Sequence, residues 1–302
     1  MNLKSGKISV VINTLNEAVL AEQAIRSVSW ADEVVICDMH SDDNIKVVAK
    51  KLGARVIEHE RLDFVEPARN LAIAETTGEW VLVLDPDEEV SDELGVKLKE
   101  ITEDNKISFV EVPRKNIIFG KWMIASFWWP DYNIRFFKKG KVVWSNEIHR
   151  RPQTLGEGIK LPDEERYALI HHHYKSISQF INRMDRYTSV QARELVKNGY
   201  RFRWSDVVEK PLNEFLGRFF ANQGFKDGLH GLTLSLLQAF SFLIVYLKVW
   251  EEKRFKEENL DFKDIVMIGK SAGKDIDYWY KYGNLSKNPL KRLVERVKNK
   301  IL

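Results

Sequence analysis

The sequence has 302 residues, of which 44% are hydrophobic, so it can bury a sizeable core as one large domain or two smaller ones. Its net charge of +3 is too small for the basic surface of a nucleic-acid-binding protein, so we expect no nucleic-acid partner. The single cysteine, Cys37, excludes an internal disulfide and fits a reducing compartment, and the first nine residues carry no apolar run typical of a secretory signal.

The first hundred residues alternate between two kinds of apolar pattern. β-branched or apolar runs predict four buried strands, at 8–14, 33–39, 54–59 and 79–85. Apolar residues at helical spacing predict four helices between and after them, at 18–29, 42–53, 67–78 and 91–101. This alternation predicts an α/β fold whose open, mostly parallel sheet is covered by helices on both faces.

The rest of the chain is less regular. Segments 108–119 and 132–144 predict strands, the second interrupted by a KKGK turn, and 178–198 predicts a helix. Residues 231–247 carry no charge, and we interpret them as a helix buried in the protein or in a membrane interface. The tail 288–302 has an apolar face and a basic face, which fits an anionic membrane surface or, alternatively, a solvated helix packed on its own domain.

Polar or acidic side chains follow three of the predicted strands, in segments 13–17, 38–43 and 85–89. Ligands of open α/β sheets bind outside the carboxyl ends of the strands, so these segments are expected to converge on one site. Their oxygens suit Mg²⁺ or Mn²⁺, which would hold a diphosphate and neutralise charge on a leaving group. The alternative is that 87–89 are loop carboxylates favoured by the dipole of the next helix. The first strand is not followed by the dinucleotide-binding motif GxGxxG, and the P-loop motif GxxxxGK[ST] does not occur. The sequence therefore lacks both of these glycine-rich phosphate-binding loops.

A resemblance to a known family is carried by three segments in order, ISVVINTLNEAVLAEQAIRSV, EVVICDMHSDD and EPARNLAIAETTGEWVLVLDPDEEV. They resemble the family 2 glycosyltransferases, which have a GT-A fold. Two later segments resemble the branch that contains lipopolysaccharide-core β-glucosyltransferases, WWPDYNIRFFKKGKVVWSNEIH and GFKDGLHGLTLSLLQAFSFLIVYLKVWE. The resemblance implies a GT-A domain, a Rossmann-like mixed sheet flanked by helices, in residues 1–215. Within it, a donor half covers about 1–105 and an acceptor half about 106–215, and a C-terminal helical, membrane-associating region covers 216–302.

The resemblance also implies a site for a nucleotide-sugar donor, with a UDP-hexose as the expected donor. It implies that Asp38 bonds the uracil or ribose, that Asp85 contacts the ribose or the sugar, and that Asp87 ligates Mn²⁺ or Mg²⁺. The other donor-binding positions that it implies are Thr14, Asn16, Glu17, Ser41, Asp42 and Arg69. Arg135 is expected to face the diphosphate or, alternatively, to pair with a nearby acid.

Inverting transfer needs a base that takes the proton of the acceptor hydroxyl, and the ED pair usual in the family is absent. In SNEIHRRP, Glu147 and His149 lie two residues apart and would share one face of a strand. They are the first candidates for the base and Asp131 is the third. A related VHE-like element carries a Glu where this chain has Arg150, so the base stays open between them.

Two histidines extend the expected metal site. A late His sometimes completes this site in GT-A enzymes, so His171 or His173 is expected to join Asp85 and Asp87 as a ligand. The alternative is that both are ordinary core or surface histidines.

Together these features predict a metal-dependent inverting glycosyltransferase with a glycolipid or lipid-linked acceptor of the lipopolysaccharide-core type. We expect it at the cytoplasmic face of the inner membrane, as a peripheral or monotopic protein. Alternative acceptors are a polyprenyl phosphate or a protein side chain. A nucleotidyltransferase would need a Gly-rich basic loop where NTLNEAV stands, and a catalytically inactive membrane-surface scaffold would not need an intact Asp38 and DxD motif.

Overall fold

The computed structural model describes residues 6–61, 66–144 and 151–282. They fall into two units that are interleaved along the sequence. Unit 1 contains residues up to 117 and the segment 130–173, and unit 2 contains 118–129 and the chain from 174 onward. The boundary after residue 215 that the sequence suggests stays a prediction, and the interleaving arises because the segment 118–129, between two strands of unit 1, belongs to unit 2.

The first half of unit 1 has the strand and helix order that the sequence predicts. Its strands are β1 Ile8–Thr14, β2 Glu33–Asp38, β3 Arg55–Glu58 and β4 Trp80–Leu84. Its helices are α1 Ala18–Ser27, α2 Ile45–Lys51, α3 Glu66–Ala74 and α4 Asp92–Ile101. The strands pair in parallel in the order β3-β2-β1-β4, which confirms the predicted α/β sheet.

The second half of unit 1 extends this sheet with antiparallel strands. The longer strands are β6 Ile107–Ile118, β8 Asp131–Lys138 and β12 Leu169–Tyr174. The short strands of unit 1 are β5 Glu88–Glu89, β9 Val142–Val143, β10 Gln153–Thr154 and β11 Glu157–Lys160. β11 pairs with β6 in parallel, β9 and β10 form a separate two-stranded sheet, and β7 Lys121–Trp122 lies in the segment that belongs to unit 2. The predicted strand 132–144 is two strands, β8 and β9, because Gly140 turns the chain at a φ of 81°. β8 lies between β4 and β6, and the main path continues through β12 to β5.

Two apolar layers cover the faces of the parallel part of the sheet. Alternate residues of each strand point to opposite faces, so Val10 and Ile12 pack on the layer that contains α1, α2 and α4. Val11 and Cys37 pack on the opposite layer with Ala68 and the rest of α3. Burial raises the pKa of the Cys37 thiol to about 11, as expected for an inert buried cysteine.

Unit 2 is helical. Its helices are α5 Ile177–Lys197, α6 Asp206–Leu216, α7 Gly228–Glu252 and α8 Phe262–Tyr282. α5 confirms the predicted helix at 178–198, and the uncharged run 231–247 lies inside the longer helix α7. The helical stretch Gly224–Glu252 is long and apolar enough to cross a membrane by length and composition alone. The predicted basic tail 288–302 lies outside the described residues.

A single lysine joins α7 to α5. Lys248 Nζ donates hydrogen bonds to the backbone and side-chain oxygens of Asp185, at 2.8 and 2.6 Å, and to the hydroxyls of Thr188 and Ser189. The ammonium group of an otherwise apolar helix is thus solvated by a polar helix rather than by water alone.

Candidate active site

The carboxyl ends of β1, β2 and β4 bring the predicted site residues together. Thr14 is the register partner of Asp38, and Ile12 is the partner of Leu84, the residue before Asp85. The segments after these strands therefore emerge next to one another at one edge of the sheet, as their positions in the sequence predict.

The loops after β1 and β2 hold each other in place. Asn16 has a left-handed backbone (φ 59°), a conformation that Asn adopts more readily than most residues. Its backbone N–H donates to the hydroxyl of Ser41 at 2.9 Å, and its side-chain oxygen accepts from the N–H of Asp42 at 2.7 Å. Arg61 donates to the Asp42 carboxylate at 2.8 Å. Glu17 begins α1, its carbonyl accepting from two N–H groups of the first turn.

Asp38 is buried with half of its carboxylate bonded. Oδ1 accepts from the Ser41 N–H at 2.9 Å, whereas Oδ2 has no hydrogen-bond partner within the described ranges and Lys46 Nζ approaches it only to 3.9 Å. The hydroxyl of the neighbouring Thr14 is likewise buried and without a hydrogen-bond partner in that part of the chain. Because unmet buried polar groups are costly, this pair is suited to a polar ligand that supplies the missing bonds.

Asp85 is held by two arginines. Its Oδ1 accepts from Arg69 at 2.5 Å and its Oδ2 accepts from Arg135 at 2.5 Å. Burial alone would raise the pKa of Asp85, but the positive charges of Arg135 and Arg69 outweigh it and hold that pKa well below its usual range. Asp85 is therefore ionised at neutral pH, and both of its oxygens already face cations.

Glu88 is fully buried and connects Asp85 and its two arginines to a second ion pair, which is formed by Arg114 and Asp131. Its Oε2 accepts from the backbone N–H of Asp85 at 2.9 Å, and its Oε1 accepts from Arg135 at 2.8 Å. Arg114 reaches the same Oε1 at 3.4 Å and donates twice to Asp131 Oδ2, at 2.9 and 2.5 Å. Burial would lower the pKa of Arg135, but Asp85 and Glu88 outweigh it and raise that pKa.

These contacts form one balanced set of charges, which we call the arginine–carboxylate network. It contains three cations and three anions, namely Arg69, Arg114, Arg135, Asp85, Glu88 and Asp131. Of the two possibilities for Arg135, the structure shows pairing with nearby acids. Asp131 accepts from Arg114, Asn116 and Asn133, so the third candidate for the base is committed to hydrogen bonds. Glu147 and His149 lie outside the described residues, and their role stays a prediction.

Asp87, two residues after Asp85, faces a histidine. β12 pairs with β5 so that His171 lies opposite Glu88, and the backbone N–H of His172 donates to the Asp87 carbonyl at 2.8 Å. This places His171 Nε2 3.6 Å from Asp87 Oδ2, with both side chains largely buried. His172 and Glu89 are diagonal neighbours on these strands, and their side chains are hydrogen-bonded at 2.9 Å and half-buried.

The residues present fit a divalent metal with two protein ligands. A carboxylate oxygen and an imidazole nitrogen converge at Asp87 and His171, a donor set that Mn²⁺ accepts, and substrate oxygens commonly complete such sites. Within the described ranges no three His, Cys, Asp or Glu side chains are grouped to hold a metal, so ligation by Asp85 or His173 stays a prediction. Asp85 is occupied by two arginines, and the His173 ring packs edge-on against the His171 ring at 4.6 Å.

Two residues at this site are not singled out by the sequence analysis as donor or catalytic groups, and a third, Asn70, belongs with Arg69 to the pair that the family resemblance implies near the donor. Arg114 and Asn116 lie on β6 and contact Asp131 and His171, which are distant in the sequence. Asn70 holds the main chain at Trp144: its Nδ2 donates to the Trp144 carbonyl at 2.8 Å and its Oδ1 accepts from the Trp144 N–H at 3.1 Å. In the sequence, the only signal for Arg114 and Asn116 is that they lie two positions apart in the predicted strand 108–119 and so share one face of it.

Comparison with known proteins points to one family. Residues 9–156 match the family model described as Glycosyl transferase family 2. An uncharacterized glycosyltransferase of Rickettsia typhi is 30% identical over 271 residues, covering 85% of this chain and 91% of the relative. Among solved structures, glucosyl-3-phosphoglycerate synthase from Mycobacterium tuberculosis is 26% identical over 35% of this chain and 43% of that one, with a TM-score of 0.32. A mannosyltransferase from Pyrobaculum calidifontis is 15% identical over 98% of this chain and 87% of that one, with a TM-score of 0.45.

Proposed function

Because this chain belongs to the family 2 glycosyltransferases, and is therefore an enzyme, we propose that it moves a hexose with inversion from a UDP-sugar to a lipid-linked glycan of the lipopolysaccharide-core type. The observation that carries the metal-dependent part of this proposal is the pair of Asp87 and His171, whose side chains converge at the carboxyl edge of a sheet. Asp38, with one carboxylate oxygen unmet, lies two strands away at the same edge.

Each group in the site then has a distinct task. Asp38 and Thr14 would bind the nucleoside through the polar atoms that lack protein partners. Asp87 and His171 would hold Mn²⁺ or Mg²⁺, and a divalent ion supplies positive charge to a departing diphosphate. The arginine–carboxylate network fixes the turn between β4 and β5, so that Asp87 stays oriented without reorganisation. The acceptor hydroxyl loses its proton to Glu147 or His149.

Nucleotide titration tests the donor site. We expect calorimetry to detect UDP binding that depends on Mn²⁺ and is stronger than binding of GDP or CMP. Asp87→Ala should abolish the Mn²⁺-dependent part while the protein remains folded, and Asp92→Ala, which removes an exposed carboxylate at the start of α4, should bind as the native protein does. A folded native protein that binds no nucleotide with or without metal would refute the proposed donor site.

The proposed acceptor and location rest on unit 2. Helix α7 turns Leu234, Ala239 and Val249 inward, whereas Leu236 and Phe240 are 52% and 44% exposed. A folded monomer seldom leaves such a row of large apolar side chains in water. We therefore place this face on the cytoplasmic leaflet of the inner membrane, as a peripheral or monotopic contact that would give access to a lipid-linked acceptor.

Vesicle sedimentation tests the membrane contact. We expect the native protein to sediment with vesicles that contain phosphatidylglycerol, and Phe240→Glu to reduce the bound fraction several-fold. Val96→Glu adds the same charge at an exposed valine of α4 in unit 1 and should have no effect. Native protein that stays in the supernatant, or equal losses in both variants, would contradict the membrane proposal. A panel of core glycolipid, polyprenyl phosphate and peptide acceptors would then identify the acceptor class.

A further inference from the structure

A chain of hydrogen bonds in unit 1 runs from the arginine–carboxylate network to the histidine of the metal pair. Arg114 donates to Asp131 Oδ2, and so does the side-chain amide of Asn116, through Nδ2 at 3.2 Å. The Asn116 oxygen, Oδ1, lies 2.6 Å from His171 Nδ1. Asn116 is fully buried and His171 nearly so, which keeps bulk water from competing for these bonds.

The direction of each bond in this chain follows from the chemistry of its ends. A carboxylate can only accept, and Oδ2 of Asp131 also accepts two hydrogen bonds from Arg114, so Asn116 must present its NH₂ group to Asp131. The amide oxygen of Asn116 is then the atom that faces His171. Because an oxygen cannot donate, Nδ1 of His171 must carry the proton of this bond.

The consequence appears at the other nitrogen of the ring. In a neutral imidazole with its proton on Nδ1, the lone pair is on Nε2, which is the atom that faces Asp87. The Nε2–Oδ2 separation of 3.6 Å is too long for a hydrogen bond. Two electron-pair donors therefore face each other across a gap, an arrangement that a cation stabilises.

We propose that Asn116 is a positioning residue that fixes the tautomer and the ring orientation of His171 for metal binding. This inference rests on the metal site of the proposed function. Groups that orient a metal-ligating histidine usually change metal affinity by about 10- to 100-fold when they are removed. Asn116 does this with an amide whose own orientation is set by Asp131, so the network and the metal pair are physically connected.

Three variants separate positioning from packing. Asn116→Leu keeps the side-chain volume but removes the acceptor for His171. Asn116→Asp restores an acceptor for His171 while placing a second carboxylate beside Asp131. Asn133→Leu is the matched control, because Asn133 also donates to Asp131, at 3.2 Å to Oδ1, and none of its described hydrogen bonds involves His171.

The first readout is the dissociation constant of Mn²⁺ in the presence of UDP, measured by electron paramagnetic resonance. We expect Asn116→Leu to weaken Mn²⁺ binding about 10- to 100-fold. Asn116→Asp should stay close to the native affinity, even though it lowers the stability of the fold, and Asn133→Leu should leave the affinity unchanged. Native affinity in Asn116→Leu, or equal losses in all three variants, would overturn the inference and leave the metal site standing.

The second readout needs no metal. Nitrogen-15 spectra of the histidine side chains at pH 8, with His171 assigned through His171→Gln, report which ring nitrogen carries the proton. We expect a proton on Nδ1 in the native protein and a mixture of tautomers in Asn116→Leu. A proton on Nε2 in the native protein would overturn the inference by itself. Failure of the native protein to bind Mn²⁺ would refute the proposed metal site, while these spectra would still decide the role of Asn116.

Discussion

Replacing Glu88 by Gln tests the arginine–carboxylate network most directly. Both Glu88 oxygens accept hydrogen bonds, Oε2 from the Asp85 N–H and Oε1 from Arg135 and Arg114. Gln has one oxygen and one NH₂ group, so in either orientation a donor meets a donor. The substitution also removes one of three negative charges and leaves an excess positive charge in a buried site.

The magnitude follows from this geometry. Removing one partner of a buried ion pair costs about 3–5 kcal/mol, because the remaining charge stays buried without compensation. The substituted glutamine would retain the volume and one acceptor, so we expect a loss at the lower end, about 3 kcal/mol. The side chain of the neighbouring Glu89 is 31% exposed, and among the residues that the structure describes it pairs with His172 alone, so Glu89→Gln should cost at most about 1 kcal/mol.

Urea unfolding of both variants, followed by circular dichroism, measures the difference. The two substitutions are chemically identical and lie at adjacent positions, so effects on the unfolded chain cancel in the comparison. We expect a much lower unfolding midpoint for Glu88→Gln than for Glu89→Gln. Equal midpoints, or a loss below about 1 kcal/mol for Glu88→Gln, would refute the view that Glu88 balances the buried arginines.

Two further predictions concern stability. Burial alone would raise the pKa of Glu33, but hydrogen bonds led by that from Ser9 hold it at about 2 instead of 4.5. The stabilisation of the fold by the ionised Glu33 is complete above pH 4.5 and is lost as the pH falls towards 2. Glu33→Gln should therefore lower the free energy of unfolding by about 1–3 kcal/mol at pH 7, as measured by urea unfolding. The difference in stability between the native protein and the variant should vanish near pH 2. Gly231→Ala would place a Cβ 1.8 Å from the Gly224 carbonyl oxygen and should lower the melting temperature of unit 2. Gly269→Ala, with no neighbour within 4 Å, should raise it slightly, and the opposite order would contradict the close packing of α7.

The parallel half of the sheet was predictable because β1, β2 and β4 each contain a continuous apolar run. Buried on both faces, β1 and β4 need no polar alternation, and the residue that follows each run must lie at the carboxyl edge. Asp38 and Asp85 could therefore be assigned to one site from their positions alone. The parallel pairing of neighbouring strands then brings them together without further information.

The antiparallel half was not predictable in the same way. The contacts of Arg114 depend on β8 lying between β4 and β6, and those of His171 depend on β12 pairing with the two-residue strand β5. Neither pairing leaves a local pattern, because the partners are joined by long connections rather than by tight turns. The assignment of residues 118–129 likewise leaves no local signal, because they interrupt unit 1 in the sequence yet belong to unit 2.

The saturation of Asp85 by two arginines has a consequence for how mutational scans of this enzyme are interpreted. A scan that measures only product formation would score Asp85 and Asp87 as equally intolerant and would count both as metal ligands. Their losses have different origins, since Asp85→Ala removes the shared partner of Arg69 and Arg135, whereas Asp87→Ala removes the carboxylate that faces His171. Measuring the abundance of folded protein beside activity would separate the two positions, and would show that one half of the DxD motif acts as scaffolding.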